Sequence, residues 1–92
     1  MTKPVDNYGK FVGVMVTNPD KFTNERGADV IGFRIKVNNG SPSGMTVHCV
    51  DYTGKFEQAR FGDTVIAEGA VTLKKREKND KIFYNLYMII ND

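Results

Sequence analysis

The sequence predicts an all-β fold, and three observations lead there. Short β-branched and aromatic segments are separated by clusters of Gly, Pro, Asn and Asp; the segment from Val30 to Asn38 alternates apolar with polar residues; and only Lys55 to Phe61 carries helical spacing. With 92 residues, 40% hydrophobic and 26% charged, the chain is sized for one core and composed like an ordinary globular domain.

The first strand starts at Lys10 and runs through Phe11-Val12-Gly13-Val14-Met15-Val16-Thr17 to the turn former Asn18-Pro19-Asp20. Residues 1–9 read as a flexible N-terminal segment and 10–92 as a single domain. Lys21 to Asp29 is polar without periodicity and is assigned no element. In the second strand, Ile31, Phe33, Ile35 and Val37 share one face while Arg34, Lys36 and Asn38 share the other, as a two-residue period requires. Asn39 to Gly44 consists of turn formers. The third strand, Met45 to Tyr52, sends Val47 and Cys49 inward and Thr46, His48, Val50 and Tyr52 outward. Lys55 to Phe61 is expected to form a short helical connection, which Gly62 stops. The fourth strand turns Val65, Ala67, Val71 and Leu73 inward, with a bulge or sharp bend expected at Gly69. It continues into a basic segment, turns near Asn79-Asp80 and returns as a fifth strand from Ile82 to Ile90. Five strands with a helical connection between the third and fourth match the partly open Greek-key barrel called the OB-fold. A five-stranded SH3-like barrel is the alternative, because counting strands does not fix their order.

Catalysis finds little support. The one histidine, His48, and the one cysteine, Cys49, are adjacent in a strand and point to opposite faces, so neither a zinc site nor a Cys-His couple can be assembled from them. Thr53-Gly54-Lys55 lacks the earlier glycine of a phosphate loop, and Phe56 stands where the metal-binding hydroxyl belongs. Asp51, Asp63 and Glu68 follow no acid-base or cation-binding spacing and are expected to be solvated. No enzyme, cofactor or metal is therefore expected. A lone cysteine gives no disulfide framework, and no segment has the length and apolarity of a signal core or a membrane span. A soluble cytoplasmic protein is the expectation.

Binding is better supported. The net charge of +2 is mild, but Lys74 to Lys81 holds five cationic and two anionic residues, leaving eight and nine elsewhere. All of the positive excess thus sits on one hairpin. Outward positions mix cations with aromatics: Arg34 and Lys36, His48 and Tyr52, Phe83 and Tyr87, and the hairpin's Lys74, Arg76, Lys78 and Lys81. Aromatic side chains capture the flat faces of unpaired bases while flanking cations neutralise phosphates, so this set is the candidate single-strand interface. Packing competes at several positions. Phe33 reads as core; Phe56, Phe61 and Phe83 lean toward capping the barrel; Tyr52 and Tyr87 are evenly placed. The lesser alternative for the hairpin charges is that they guard a sheet edge.

Taken together, these segments resemble the bacterial and phage single-stranded DNA-binding proteins, the SSB family, from about Lys10 to Asp92. Phe11-Val12-Gly13-Val14 with Asn18-Pro19-Asp20 resembles the family's first strand and turn, and Phe33 to Asn38 its second strand. Val47 to Lys55 is similar to its third strand, where an aromatic precedes Gly-Lys; here Thr53 intervenes. Gly62 to Gly69 resembles the family's Gly-x-x-Val-x-x-Glu-Gly. The resemblance implies an OB-fold that wraps single-stranded DNA with little sequence preference in replication or recombination, as a dimer or tetramer. It also implies that Tyr52 stacks on bases and that Lys74 to Arg76 begin the long basic hairpin. The connection after the third strand is shortened, tryptophan is lacking, and the sequence stops at Asp92 without the acidic tail of bacterial members. A minimal phage- or plasmid-type relative, or a primosomal-type accessory, is what these departures suggest. A protein-interaction module of OB or SH3-like fold and a cold-shock type RNA binder are the alternatives, since the physics of single-strand binding does not separate DNA from RNA.

Overall fold

The computed structural model describes residues 7–38 and 44–91 as six β-strands and no helix. The strands are β1 (Tyr8–Met15), β2 (Asp20–Thr23), β3 (Asp29–Val37), β4 (Met45–Asp51), β5 (Thr64–Lys78) and β6 (Lys81–Ile90). Neighbours run β1-β5-β6-β4-β3-β2, and β1 also pairs with β3 at Val14↔Lys36 and Met15↔Ile35. The pairings therefore close a circuit. Every ladder is antiparallel except β4–β6, where Val47↔Leu86 to Asp51↔Ile90 run parallel.

The alternation expected of the second strand holds in β3, whose Ile31, Phe33, Ile35 and Val37 are buried with Val47, Cys49, Ala67, Met88, Ile90 and Met15. Burying a side chain such as Ile35 or Met88 fully contributes about 1.5–3 kcal/mol, so this cluster carries the fold. β1 takes in Tyr8 and Gly9, which the sequence placed ahead of the domain, because Val71 N donates to Asn7 O at 2.8 Å and carries pairing past Lys10. The rest of that segment, residues 1–6, and most of the expected 39–44 loop lie outside the described residues.

Three expectations are corrected. Lys21 to Asp29, a segment with no expected element, contains part of a strand: β2 pairs with β3 from Asp20↔Gly32 to Thr23↔Asp29. All four of its residues are exposed, so it shows no inward-outward pattern to read. The helical connection is absent. Gly54 and Gly62 have φ of 81° and 92°, and between them Glu57 N donates to Gly54 O and Ala59 N to Phe56 O, giving turns whose bonds each span three residues in place of an α-helix. Of the bulge or sharp bend expected at Gly69, the bulge is the part corrected, since the β1–β5 register passes unbroken from Glu68 through Gly69 to Ala70. Its lack of a side chain serves close approach instead: a Cβ there would collide with the Ile89 carbonyl of β6.

The hairpin turn falls where expected. Asn79 and Asp80 both take positive φ, 51° and 62°, between the paired Lys78 and Lys81, which is the two-residue turn whose twist suits a β-hairpin. No helix among the described residues is long and apolar enough to cross a membrane.

Candidate nucleic-acid interface

The sheet register sets the candidate residues in rows. Arg34 of β3 lies opposite His48 of β4, His48 opposite Tyr87 of β6, and Tyr87 opposite Thr72 of β5. Because side chains at paired positions share a face, this row crosses four strands on the surface away from the core. His48 and Tyr87 stack with ring centroids 4.8 Å apart and planes inclined by 20°. Two residues along β5, the Lys74 ammonium sits 4.5 Å from the Tyr87 ring centroid. Arg34 and Lys74 thus flank the stacked His48–Tyr87 ring pair with a cation on either side. Partial burial together with the Arg34 charge lowers the His48 pKa below its ordinary 6.5, so the imidazole is neutral at pH 7.

The β5–β6 arm continues this surface. Lys74↔Asn85, Arg76↔Phe83 and Lys78↔Lys81 are paired positions on the face that carries Tyr87, whereas Lys75↔Tyr84 and Glu77↔Ile82 occupy the opposite face. Phe83 is 49% exposed and is not part of the core, contrary to its packing reading. Phe61, at 66%, is likewise exposed. Phe56 does pack inward, with its ring 4.9 Å from that of Phe33. Lys36 lies on β3 beside Thr46, two residues from Arg34 on the same face.

Tyr52 stands apart from the row, just beyond the end of β4. It is 41% exposed, and its hydroxyl accepts a 2.9 Å hydrogen bond from Asn24 Nδ2. Asn24 in turn organises the β2–β3 turn, its Oδ1 accepting from Arg26 N and Ala28 N at 3.0 Å each, ahead of Gly27 with φ 81°. An open cleft of about 780 Å³ follows, lined by Phe22, Arg26, Val50, Tyr52, Lys74 and Ile89. A second of about 380 Å³ adjoins it along Phe22, Arg34, His48 and Tyr87. Phe22 packs over Gly32, where a Cβ would meet its ring at 2.9 Å, and so forms a wall shared by both clefts. Phe22, Asn24 and Arg26 were missed by the sequence reading; the turn spacing Asn24-x-x-Gly27 was the available signal.

The carboxylates do not form a cation site. Asp51 is 1% exposed, contrary to the expectation that it is solvated, and its oxygens accept from Thr53 N at 2.8 Å, the Thr53 hydroxyl and Phe56 N at 3.1 Å. Glu68 lies 3.9 Å from Lys10, and Asp63 accepts from Arg60 N. Among the described residues no three His, Cys, Asp or Glu side chains converge. Burial, with the Asp51 charge adding to it, pushes the Cys49 thiol up to about 12, which makes it a poor nucleophile.

No protein-family profile and no curated protein sequence matches this chain. Solved structures do. The small single-stranded DNA-binding protein from Streptomyces coelicolor superposes with a TM-score of 0.71 at 14% identity, over 90% of this chain and 87% of that one. The chain has the fold of single-stranded DNA-binding proteins. Plasmodium falciparum SSB, solved as a complex with single-stranded DNA, superposes with a TM-score of 0.68 at 17% identity, over 98% of this chain and 90% of that one. The SSB resemblance read from the sequence motifs is thereby supported by an independent likeness in three dimensions.

Proposed function

We propose that this protein binds single-stranded DNA with little sequence preference, as a non-enzymatic OB-fold protein acting in replication or recombination. The observation that carries the reading is the row of Arg34, His48, Tyr87 and Lys74, where a stacked pair of rings lies between two cations along a surface bordered by open clefts. Stacking on rings contributes about 1–3 kcal/mol per base whatever the base, and cations release counterions from the backbone, so such a row recognises a strand and not a sequence. The arm adds Arg76, Lys78, Lys81 and Phe83, while Tyr52, Arg26 and Phe22 border the other side. The closed circuit of pairings supports the OB-fold assignment if β1 and β2 are counted as one strand interrupted at Asn18-Pro19. Self-association into a dimer or tetramer belongs to the same proposal; Val12, Val14 and Ile66 leave apolar area exposed on the outer β1–β5 surface.

The test is a titration with oligo-dT, oligo-rU and duplex DNA at two salt concentrations. Oligo-dT should bind more tightly than duplex, with affinity falling as salt rises. Preference for oligo-rU would turn the reading toward RNA. Absence of binding to either single strand at low salt would sink it in favour of a protein partner.

A further inference from the structure

Tyr87 is the most centrally placed ring of the proposed interface, yet both of its faces are occupied. β6 lies between β4 and β5, so His48 reaches the ring from one side and Lys74 from the other. The imidazole stacks at 4.8 Å, and the ammonium stands 4.5 Å from the centroid. A base cannot stack on Tyr87 in this arrangement unless one neighbour leaves.

We propose that Lys74 is a phosphate-released cover on Tyr87, so that the ring becomes available only to a base carried on a charged backbone. The inference rests on the single-strand reading above. Lys74 is the neighbour that can leave. His48 is a short, half-buried side chain on the paired position of β4, while Lys74 is exposed on a flexible four-carbon stem. No carboxylate forms an ion pair with Lys74 among the described residues. Its hold on the ring is an exposed cation–π contact, worth a factor of about two to five in an equilibrium. An arriving phosphate offers the ammonium a charge-assisted hydrogen bond, which is the stronger interaction. The side chain swings to the phosphate, the β5 side of the ring opens, and the adjoining base moves in. Phosphate capture and base stacking are thereby coupled, and uncharged bases or nucleosides are discriminated against because they bring nothing to draw the lysine away.

Two measurements test this. In the free protein, the ring current of Tyr87 should shift the Lys74 ε-methylene protons upfield; Tyr87→Leu should abolish the shift, and saturation with oligo-dT should abolish it in the wild type. Binding of Lys74→Gln should be weaker than wild type for oligo-dT. For the uncharged methylphosphonate analogue of oligo-dT it should be stronger by about two- to fivefold, because the cover is gone and no phosphate contact is lost. A methylene shift that persists at saturation, or a methylphosphonate affinity that is unchanged or reduced in Lys74→Gln, would overturn the proposal. Failure of the wild type to bind oligo-dT at all would instead remove the single-strand reading, and the cover with it. Whether the wild type binds oligo-dT tells the two failures apart.

Discussion

Asp51 Oδ2 accepts a hydrogen bond from Phe56 N at 3.1 Å, and the Phe56 ring lies 4.9 Å from that of Phe33 in the core. One buried carboxylate therefore closes the turn after β4 and seats an aromatic ring against the core. The loop has no helix to satisfy its backbone, so Asp51 provides the acceptors for Thr53 N and Phe56 N. Charge-assisted hydrogen bonds of this kind contribute more than neutral ones, and their loss leaves donors unpaired.

Asp51→Ala should destabilise the fold by about 2–3 kcal/mol. Asp51→Asn, which keeps one acceptor oxygen, should recover part of that. Denaturant unfolding measured on both variants checks the order; equal stability of wild type and Asp51→Ala would remove the carboxylate from its organising role.

The hydroxyl of Tyr52 matters more than stacking alone would require. Its bond to Asn24 ties the β2–β3 turn, and with it Arg26, to the end of β4. Tyr52→Ala should weaken oligo-dT binding by about 1–3 kcal/mol. Tyr52→Phe should keep most of the affinity while raising hydrogen exchange at Arg26 and Ala28. Unchanged affinity in Tyr52→Ala, with the fold intact, would limit the residue to bracing.

The two faces of the arm give an internal control. Arg76 and Lys78 share the Tyr87 face and Lys75 does not. Each phosphate contact adds about 0.7 to the slope of log affinity against log salt on single strands, so Arg76→Gln with Lys78→Gln should flatten that slope by about 1.4. Lys75→Gln should change it far less. Equal and negligible changes in both would reduce the arm's charge to edge protection.

His48 makes stability depend on pH. Its folded pKa lies below the unfolded value of about 6.5, so between the two the unfolded chain binds more protons. Stability should therefore fall as pH drops through 6.5 and level off below the folded pKa. The groups around the imidazole, Arg34, Tyr87 and beyond it Lys74, include no carboxylate that would reverse the sign. Thermal unfolding of wild type and His48→Gln from pH 7.5 to 5 should show the wild type losing more; parallel curves would contradict the assignment.

The sequence by itself determined what is local. A period of two placed Ile31, Phe33, Ile35 and Val37 inside and Arg34 and Lys36 outside, Asn79-Asp80 located the hairpin turn, and alternation separated Lys74 and Arg76 from Lys75. These features depend on backbone geometry over a few residues. Tertiary structure decided what depends on distant neighbours. β2 exists because Asp20 to Thr23 found the edge of β3, and Asp51 is buried because the turn to Phe56 needed acceptors that no helix supplied. Tyr87 meets His48 only because β4 and β6 run side by side in parallel, a pairing that no periodicity within either strand encodes. The candidate residues were thus legible as faces of single strands, and the sheet register made a site of them, since strand order is chosen by the burial of the whole core and not by any one segment.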